Sequence, residues 1–263
     1  MRTRIAPTPS GFLHRGNAVN FLLTWKLAQR HGGSVLLRID DLDPQMSQPV
    51  FVDDIFATLS WLGIACDEGP RTASELHDVW SQRHRLQLYH AALNELRRQG
   101  RVFACACTRK HVLERSPHGR YPGTCRTADI DLDTPNVAWR LDDDSVRTLP
   151  YPVVRQKTGL PSYQIASLVD DTHFGITHIV RGLDLHPSTL VQRRIASILA
   201  PNHPFLSVVV YHHPLLTDDH GAKLSKSQGA MGVREMIAAG ETLQRIQDIV
   251  GPMLEALGNG LYT

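Results

Sequence analysis

The sequence predicts an α/β protein whose parallel sheet is built in two halves, with an irregular insertion between them and a short helical tail at the end. Three observations carry this. Arg2–Ile5 reads as a short strand ended by Pro7, Pro9 and Gly11. From Gly16 to His31 the apolar residues Val19, Leu22, Leu23 and Leu27 recur at helical spacing and stop at Gly32-Gly33. Ser34 to Ile39 (S-V-L-L-R-I) is then rich in strand formers. Strand, helix, strand is the opening of a parallel α/β sheet.

Further elements follow in order. Helices are expected over Val50–Leu62 and Trp80–Arg98, ended by Gly63 and Gly100. Val102–Arg126 reads as irregular. Val137–Val154 reads as the β-structure of an insertion, with a hairpin turn near Thr158-Gly159. The α/β rhythm resumes with a helix at Ser162–Leu168, a strand at His178–Val180, a helix at Ser188–Leu199 and a strand at Leu206–Tyr211. A glycine-flanked loop, Asp219 to Gly232, leads into helices that run to Leu257. The expected divisions are 1–100 and 161–232 for the two halves of the core, 101–160 for the insertion and 233–263 for the tail. Two halves split in this way put the ends of a ligand cleft on different parts of the sheet.

Composition narrows the function classes. The 263 residues are 42% hydrophobic and 21% charged, ordinary for a globular chain. No apolar run is long enough to cross a bilayer, and the N-terminus lacks the apolar stretch of a secretory signal. A monomeric cytoplasmic protein with no membrane partner is expected. The net charge of +2 argues against wholesale coating of nucleic acid. Locally, however, Arg97 to Arg126 holds eight basic residues (Arg97, Arg98, Arg101, Arg109, Lys110, Arg115, Arg120, Arg126) against one acid, Glu114. Such a patch suits phosphates or is a solvated face. Three of the four cysteines (Cys105, Cys107, Cys125) fall close together, which points to a metal rather than a disulfide framework.

Two constellations carry chemistry. In Arg4-Ile5-Ala6-Pro7-Thr8-Pro9-Ser10-Gly11-Phe12-Leu13-His14-Arg15-Gly16-Asn17, a strand ends in a Pro/Gly loop and a histidine stands at the mouth of a helix. Gly16 allows close approach of a ligand, the free N–H groups of the helix start favour phosphate, and His14 and Asn17 can donate to it. In Gly221-Ala222-Lys223-Leu224-Ser225-Lys226-Ser227, two lysines can neutralise charge building on a triphosphate. Alone, the first is weak evidence and the second is most often an exposed basic loop.

Together, the pair resembles the H-x-G-H/N and K-M-S-K-S signatures of class I aminoacyl-tRNA synthetases, in the right order. R-I-A-P-T-P-S-G (Arg4 to Gly11), L-L-R-I-D-D-L-D-P (Leu36 to Pro44), W-L-G-I-A-C-D-E-G-P (Trp61 to Pro70), L-P-S-Y-Q-I-A-S-L-V-D-D (Leu160 to Asp171), G-I-T-H-I-V-R-G (Gly175 to Gly182) and G-A-K-L-S-K-S (Gly221 to Ser227) are similar to the glutamyl-tRNA synthetase catalytic domain. The resemblance spans Arg4 to Val233. It implies a Rossmann-type class I synthetase catalytic core and ATP with Mg2+ as substrate. ATP contacts are implied for His14, Gly16, Asn17, Lys223, Leu224, Ser225 and Lys226, with His14, Asn17, Lys223 and Lys226 catalytic. It implies L-glutamate bound by Arg4, Ala6, Pro7, Thr8, Ser10, Asp40, Tyr163 and Arg181. Arg4 and Arg181 would pair with carboxylates in fork geometry, Asp40 would hold the α-ammonium, and Tyr163 would add a hydroxyl.

There are departures. Many bacterial relatives have Glu where this chain has Asp40, Arg15 replaces an apolar residue, and Leu183-Asp184-Leu185-His186 replaces a more acidic run. The sequence given ends at Thr263, soon after Ser227, so no anticodon-binding domain is expected. That shortness is similar to the paralogues that attach glutamate to the queuosine base of tRNA(Asp). Their C-x-C…Y-x-x-x-C zinc pattern matches Cys105, Cys107, Tyr121 and Cys125, which implies one structural Zn2+, with His111 and His118 as alternative fourth ligands. The reaction expected is activation of glutamate to glutamyl-adenylate and its transfer to queuosine-containing tRNA(Asp). Two other readings are the same adenylate with a different acceptor, and a non-catalytic RNA-binding relative.

Overall fold

The computed structural model describes residues 1–116, 119–216 and 232–258. The elements, in chain order, are β1 (Arg2–Ile5), α1 (Arg15–Arg30), β2 (Ser34–Leu37), α2 (Pro49–Trp61), the single turn α3 (Ala73–Glu75), α4 (Leu86–Arg98), β3 (Val102–Cys105), α5 (Arg109–Arg115), β4 (Ala138–Leu141), β5 (Val153–Arg155), α6 (Tyr163–His173), β6 (His178–Gly182), α7 (His186–Leu199), β7 (Val209–His213), α8 (Val233–Ala238) and α9 (Leu243–Gly258). Chain contacts divide them into two units. One comprises Met1–His84, Gly175–Leu185 and Val208–Thr263; the other comprises Arg85–Phe174 and His186–Ser207.

In the first unit, β1 pairs in parallel with β2 and β6 with β7. The Thr177 N–H donates to the Arg2 carbonyl at 2.9 Å and ties the two pairs together. The helix α1 buries Val19, Leu22, Leu23 and Leu27, the apolar stripe of the sequence, and packs against β1, β6 and α9. Ile5, Val35, Ile39, Val180, Ile246 and Val250 complete a broad core. Full burial of each such side chain contributes about 1.5–3 kcal/mol, so this core can hold charged groups at strand ends without distortion.

In the second unit, β3, β4 and β5 form an antiparallel sheet in sequence order. Here the helix α6 packs against α4 and α7. Among the described residues, no helix is long and apolar enough to cross a membrane.

Three expectations need correction. The helix predicted over Trp80–Arg98 begins only at Leu86. Ser81 is extended (φ −54°, ψ 138°), and its hydroxyl and the Gln82 N–H donate to the buried Asp41 carboxylate at 2.7 and 2.8 Å. A buried carboxylate needs those donors more than the helix needs its first turn. Val102–Arg126 is not wholly irregular, because β3 and α5 lie within it and the Thr108 hydroxyl caps α5. The helix expected to end at Leu168 runs to His173. Asp170 is fully buried within it, accepting from Arg85 Nε and the Tyr89 hydroxyl, both at 2.7 Å, so this acid is a core ion pair and not a helix end.

Candidate active site and cysteine cluster

The first constellation is a helix cap with chemistry built into it. His14 is the N-cap of α1. The Gly16 N–H donates to its Nδ1 at 3.0 Å, and the His14 N–H donates to Asn17 Oδ1 at 3.0 Å. In the neutral imidazole this fixes the proton on Nε2. Gly16 is required because a Cβ there would stand 2.9 Å from His14 Cε1. Below the cap, the Leu13 N–H donates to the Asp54 carboxylate at 2.7 Å in a buried bond that holds the loop down.

Gly232, at the far end of the lysine-bearing segment, is bridged to His14, and the Val233 N–H donates to the Leu13 carbonyl at 2.8 Å. At the near end, His213 Nε2 lies 3.1 Å from Asn20 Nδ2. Both flanks are therefore anchored on α1 or the loop before it. Lys223, Leu224, Ser225 and Lys226 themselves lie outside the described residues.

The residues expected to hold glutamate fall mostly on strand ends of the first unit. Arg4 is in β1 and Arg181 in β6, 5% and 3% exposed, so neither is a surface ion-pair residue. Ala6, Pro7, Thr8 and Ser10 form the exit loop of β1, with Thr8 and Ser10 exposed. The Asp40 N–H donates to the Pro7 carbonyl at 2.8 Å, which joins that loop to the exit of β2. Asp40 has a partner that the sequence reading missed. Arg38 donates to its two oxygens from Nε at 2.7 Å and Nη2 at 3.2 Å. The signal was present, since residues i and i+2 on extended chain share a face. Arg15, the departure in the motif, pairs with Glu241 at 3.2 Å, as does Arg245 at 3.3 Å. Tyr163 belongs to the second unit, as the first residue of α6, and is 38% exposed.

The cysteines meet. The Sγ atoms of Cys105, Cys107 and Cys125 all lie within 4.8 Å of one another, with Cys107 and Cys125 at 3.5 Å. Thiolates around a tetrahedral zinc stand about 3.8 Å apart, given a Zn–S distance of about 2.3 Å, so the donor set fits that ion. The Tyr121 oxygen is 3.3 Å from Cys105 Sγ and accepts from the Cys125 N–H at 2.8 Å. His111 is exposed on α5 and does not join the group; His118 lies outside the described residues. Burial and the neighbouring thiols push Cys107 up to about 11. At Cys125 burial opposes ionisation, but hydrogen bonds from Tyr121, the Ala106 N–H and the other thiols lower it to about 7. One thiolate forms readily and the next is resisted, as expected of clustered acids awaiting a cation.

A small core surrounds the cluster. Val112 and Tyr121 are buried with Cys105 and Cys125, and Phe103 and Tyr151 pack on them. The Arg140 guanidinium lies 3.7 Å from the Tyr121 ring centroid. The eight basic residues of this region separate into two sets. Arg97, Arg98, Arg101 and Arg126 are paired with Asp133, Glu95, Asp143 and Asp142. Arg109, Lys110, Arg115 and Arg120 are exposed and have no ion pair among the described residues.

Comparison with known proteins agrees with this geometry. The family model for the catalytic domain of class I tRNA synthetases (E and Q) matches residues 1–126 and 141–251. A glutamyl-Q tRNA(Asp) synthetase from Symbiobacterium thermophilum is 36% identical over 273 residues, covering 92% of this chain and 83% of that protein. One from Burkholderia cenocepacia is 38% identical over 256 residues, covering 87% and 81%. Among solved structures, a glutamate–tRNA synthetase from Elizabethkingia anophelis matches with a TM-score of 0.67 at 24% identity. A glutamate tRNA ligase from Elizabethkingia meningosepticum, in complex with its amino acid, matches at 0.64 and 21%. This chain spans 53% and 57% of those two chains, covering 87% and 89% of itself, and at these identities the likeness concerns the fold. The chain belongs to the class I tRNA synthetases of the E and Q type, matching their catalytic domain.

Proposed function

We propose that the protein activates L-glutamate with ATP and transfers it to the queuosine base of tRNA(Asp). The observation that carries this is its similarity, at 36% identity over 92% of the chain, to a protein named for that reaction. The buried pair of guanidiniums at strand ends supports the amino acid. Two arginines favour glutamate over glutamine, because a neutral amide leaves a buried cation poorly matched.

In the first step an α-carboxylate oxygen of glutamate attacks the α-phosphorus of Mg-ATP. The bond to the pyrophosphate oxygen breaks, giving glutamyl-adenylate and pyrophosphate. Arg4 and Arg181 hold carboxylate. Asp40, kept in place by Arg38, is the carboxylate for the α-ammonium. Tyr163 adds its hydroxyl, and Ala6, Pro7, Thr8 and Ser10 form the wall. The side chains of His14 and Asn17 receive phosphate oxygens, and Gly16, lacking a side chain, lets them approach the start of α1. Lys223 and Lys226, with Leu224 and Ser225 between them, neutralise charge on the leaving pyrophosphate. In the second step a hydroxyl oxygen of the queuosine cyclopentene-diol attacks the glutamyl carbonyl carbon, AMP leaves, and the hydroxyl proton is released. No covalent enzyme intermediate is required, so catalysis is positioning and charge stabilisation.

Cys105, Cys107, Cys125 and Tyr121 are the residues that would hold a zinc ion, whose contribution is structural. They pin a segment whose own core is small.

Labelled glutamate supplied with ATP is expected to transfer to queuosine-containing tRNA(Asp) and not to tRNA(Asp) with unmodified guanine. Glutamate-dependent ATP–pyrophosphate exchange should accompany it. Transfer to both RNAs, or to neither, would refute the reading.

A further inference from the structure

Within the first unit, the consecutive residues Phe12, Leu13, His14 and Arg15 each meet a residue at the start of the helical tail. The Arg234 guanidinium lies 4.8 Å from the Phe12 ring centroid. The Val233 N–H donates to the Leu13 carbonyl at 2.8 Å, and Gly232 is bridged to His14. Arg15 Nη2 donates to both carboxylate oxygens of Glu241, at 3.2 and 3.4 Å. The proposed reaction makes no use of that last pair.

Glu241 is placed by its backbone. Gly240 follows α8 with φ 73°, a conformation that favours glycine. The Gly240 N–H donates to the Ile237 carbonyl at 3.0 Å and the Glu241 N–H to the Met236 carbonyl at 2.9 Å, which together form a Schellman ending. Val233 and Met236 are fully buried and seat α8 in the core of the unit. The carboxylate thus stands at a fixed point, and Arg245 shares it at 3.3 Å.

Arg15 is the first residue of α1, between His14 and Gly16. Its Nε is buried and has no hydrogen-bond partner among the described residues, so its guanidinium is compensated through Nη2 by Glu241. A well-exposed ion pair contributes little, because water screens it and two long side chains must be ordered. Here the side chains are only 25% and 12% exposed and both backbones are fixed, so removal of one partner leaves the other poorly solvated.

We infer that Glu241 is a positioning residue: acting through Arg15, it fixes the first turn of α1 and with it the place of the His14 ring. The inference rests on the reading of His14 as a phosphate-binding group in the proposed reaction. Arg4, Asp40 and Arg181 are placed by strands and by Arg38, and Glu241 does not hold them.

The test uses the whole chain with Glu241→Gln, which keeps the shape and removes the charge. In glutamate-dependent ATP–pyrophosphate exchange, kcat should fall about tenfold, because a small misplacement of a group that stabilises the transition state costs rate. KM for glutamate should stay unchanged. Glu241→Arg should lose at least as much, and Arg15→Glu/Glu241→Arg, which restores the pair with its signs exchanged, should recover most of the loss. In isotope-labelled protein the His14 ring nitrogen signals, assigned with His14→Gln, should shift in Glu241→Gln and return in the exchanged pair. A Glu241→Gln variant with a lowered Tm but unchanged kcat would make the pair merely structural and overturn the inference. So would a loss that the exchanged pair does not recover. Absence of exchange in the wild type, with tRNA(Asp) added, would instead strike the proposed reaction, and the His14 signals would then decide by themselves whether Glu241 positions the ring.

Discussion

The strand ends of the first unit and the cysteine cluster of the second solve the same problem by different means. Around Arg4, Arg38, Asp40 and Arg181 the scaffold is a broad apolar core, and charged groups are held where the sheet places them. Around Cys105, Cys107 and Cys125 the buried cluster adds only Val112 and Tyr121. So few apolar residues cannot offset the ordering of loops on both sides. A region of that size needs a further link, and three converging sulfurs supply the donors for one. The core of the first unit does its work by area, whereas the cluster brings together sulfur donors that could hold a metal ion and an aromatic contact with Arg140.

Substitutions in the two regions should therefore fail in separable ways. The largest effect is expected for Cys105→Ser. Bound zinc, measured by metal analysis, should fall from one ion per chain towards none, and near-ultraviolet dichroism of the Trp139 and Tyr121 region should collapse. Structural zinc contributes on the order of 10 kcal/mol to small metal-held folds. Glutamate-dependent pyrophosphate exchange should outlast that loss. Exchange lost in step with the metal would mean that the regions do not act separately.

Arg181→Gln should do the reverse. With a buried guanidinium that holds the substrate carboxylate removed, kcat/KM for glutamate in exchange should drop about 10²–10³-fold while zinc content stays constant. A drop of less than about tenfold would remove Arg181 from the amino-acid site.

The smallest effect concerns acid. Burial lowers His213 below the ordinary value, against weaker opposing pulls from the Pro214 carbonyl and Asp184. Its folded form takes up a proton less readily than its unfolded form. Stability is thus full above about pH 6.5 and declines as pH falls from there towards the folded value. Urea midpoints followed from pH 7.5 to 5 should show this decline in the wild type and a flatter profile in His213→Gln. Identical profiles would dismiss the contribution. Because His213 meets Asn20 of α1, the loss should appear in the first unit and leave the cysteine cluster intact.

Much of the first unit was legible because its signals are local. The stripe of Val19, Leu22, Leu23 and Leu27 marks α1, and Gly16 beside His14 marks the cap, for reasons contained within a few residues. The start of α4 was not legible, because Asp41, far back in the chain, takes Ser81 and Gln82 out of the helix. The helix expected to end at Leu168 runs on to His173, because Arg85 and the Tyr89 hydroxyl, from another helix region, pair with the buried Asp170 within it.

The basic run Arg97–Arg126 teaches the same lesson about charge. Its composition counts eight cations, but Asp133, Asp142 and Asp143, which lie beyond the run, and Glu95, just before it, pair with half of them. Local pattern suffices for element type, motif order and family, because backbone propensity and hydrophobic period act over one or two turns. Which charges remain available, which helix breaks early and which polar atoms stay unmatched were settled by tertiary packing alone. A charged group's partner is chosen by distance in space, and spacing along the chain does not encode that distance.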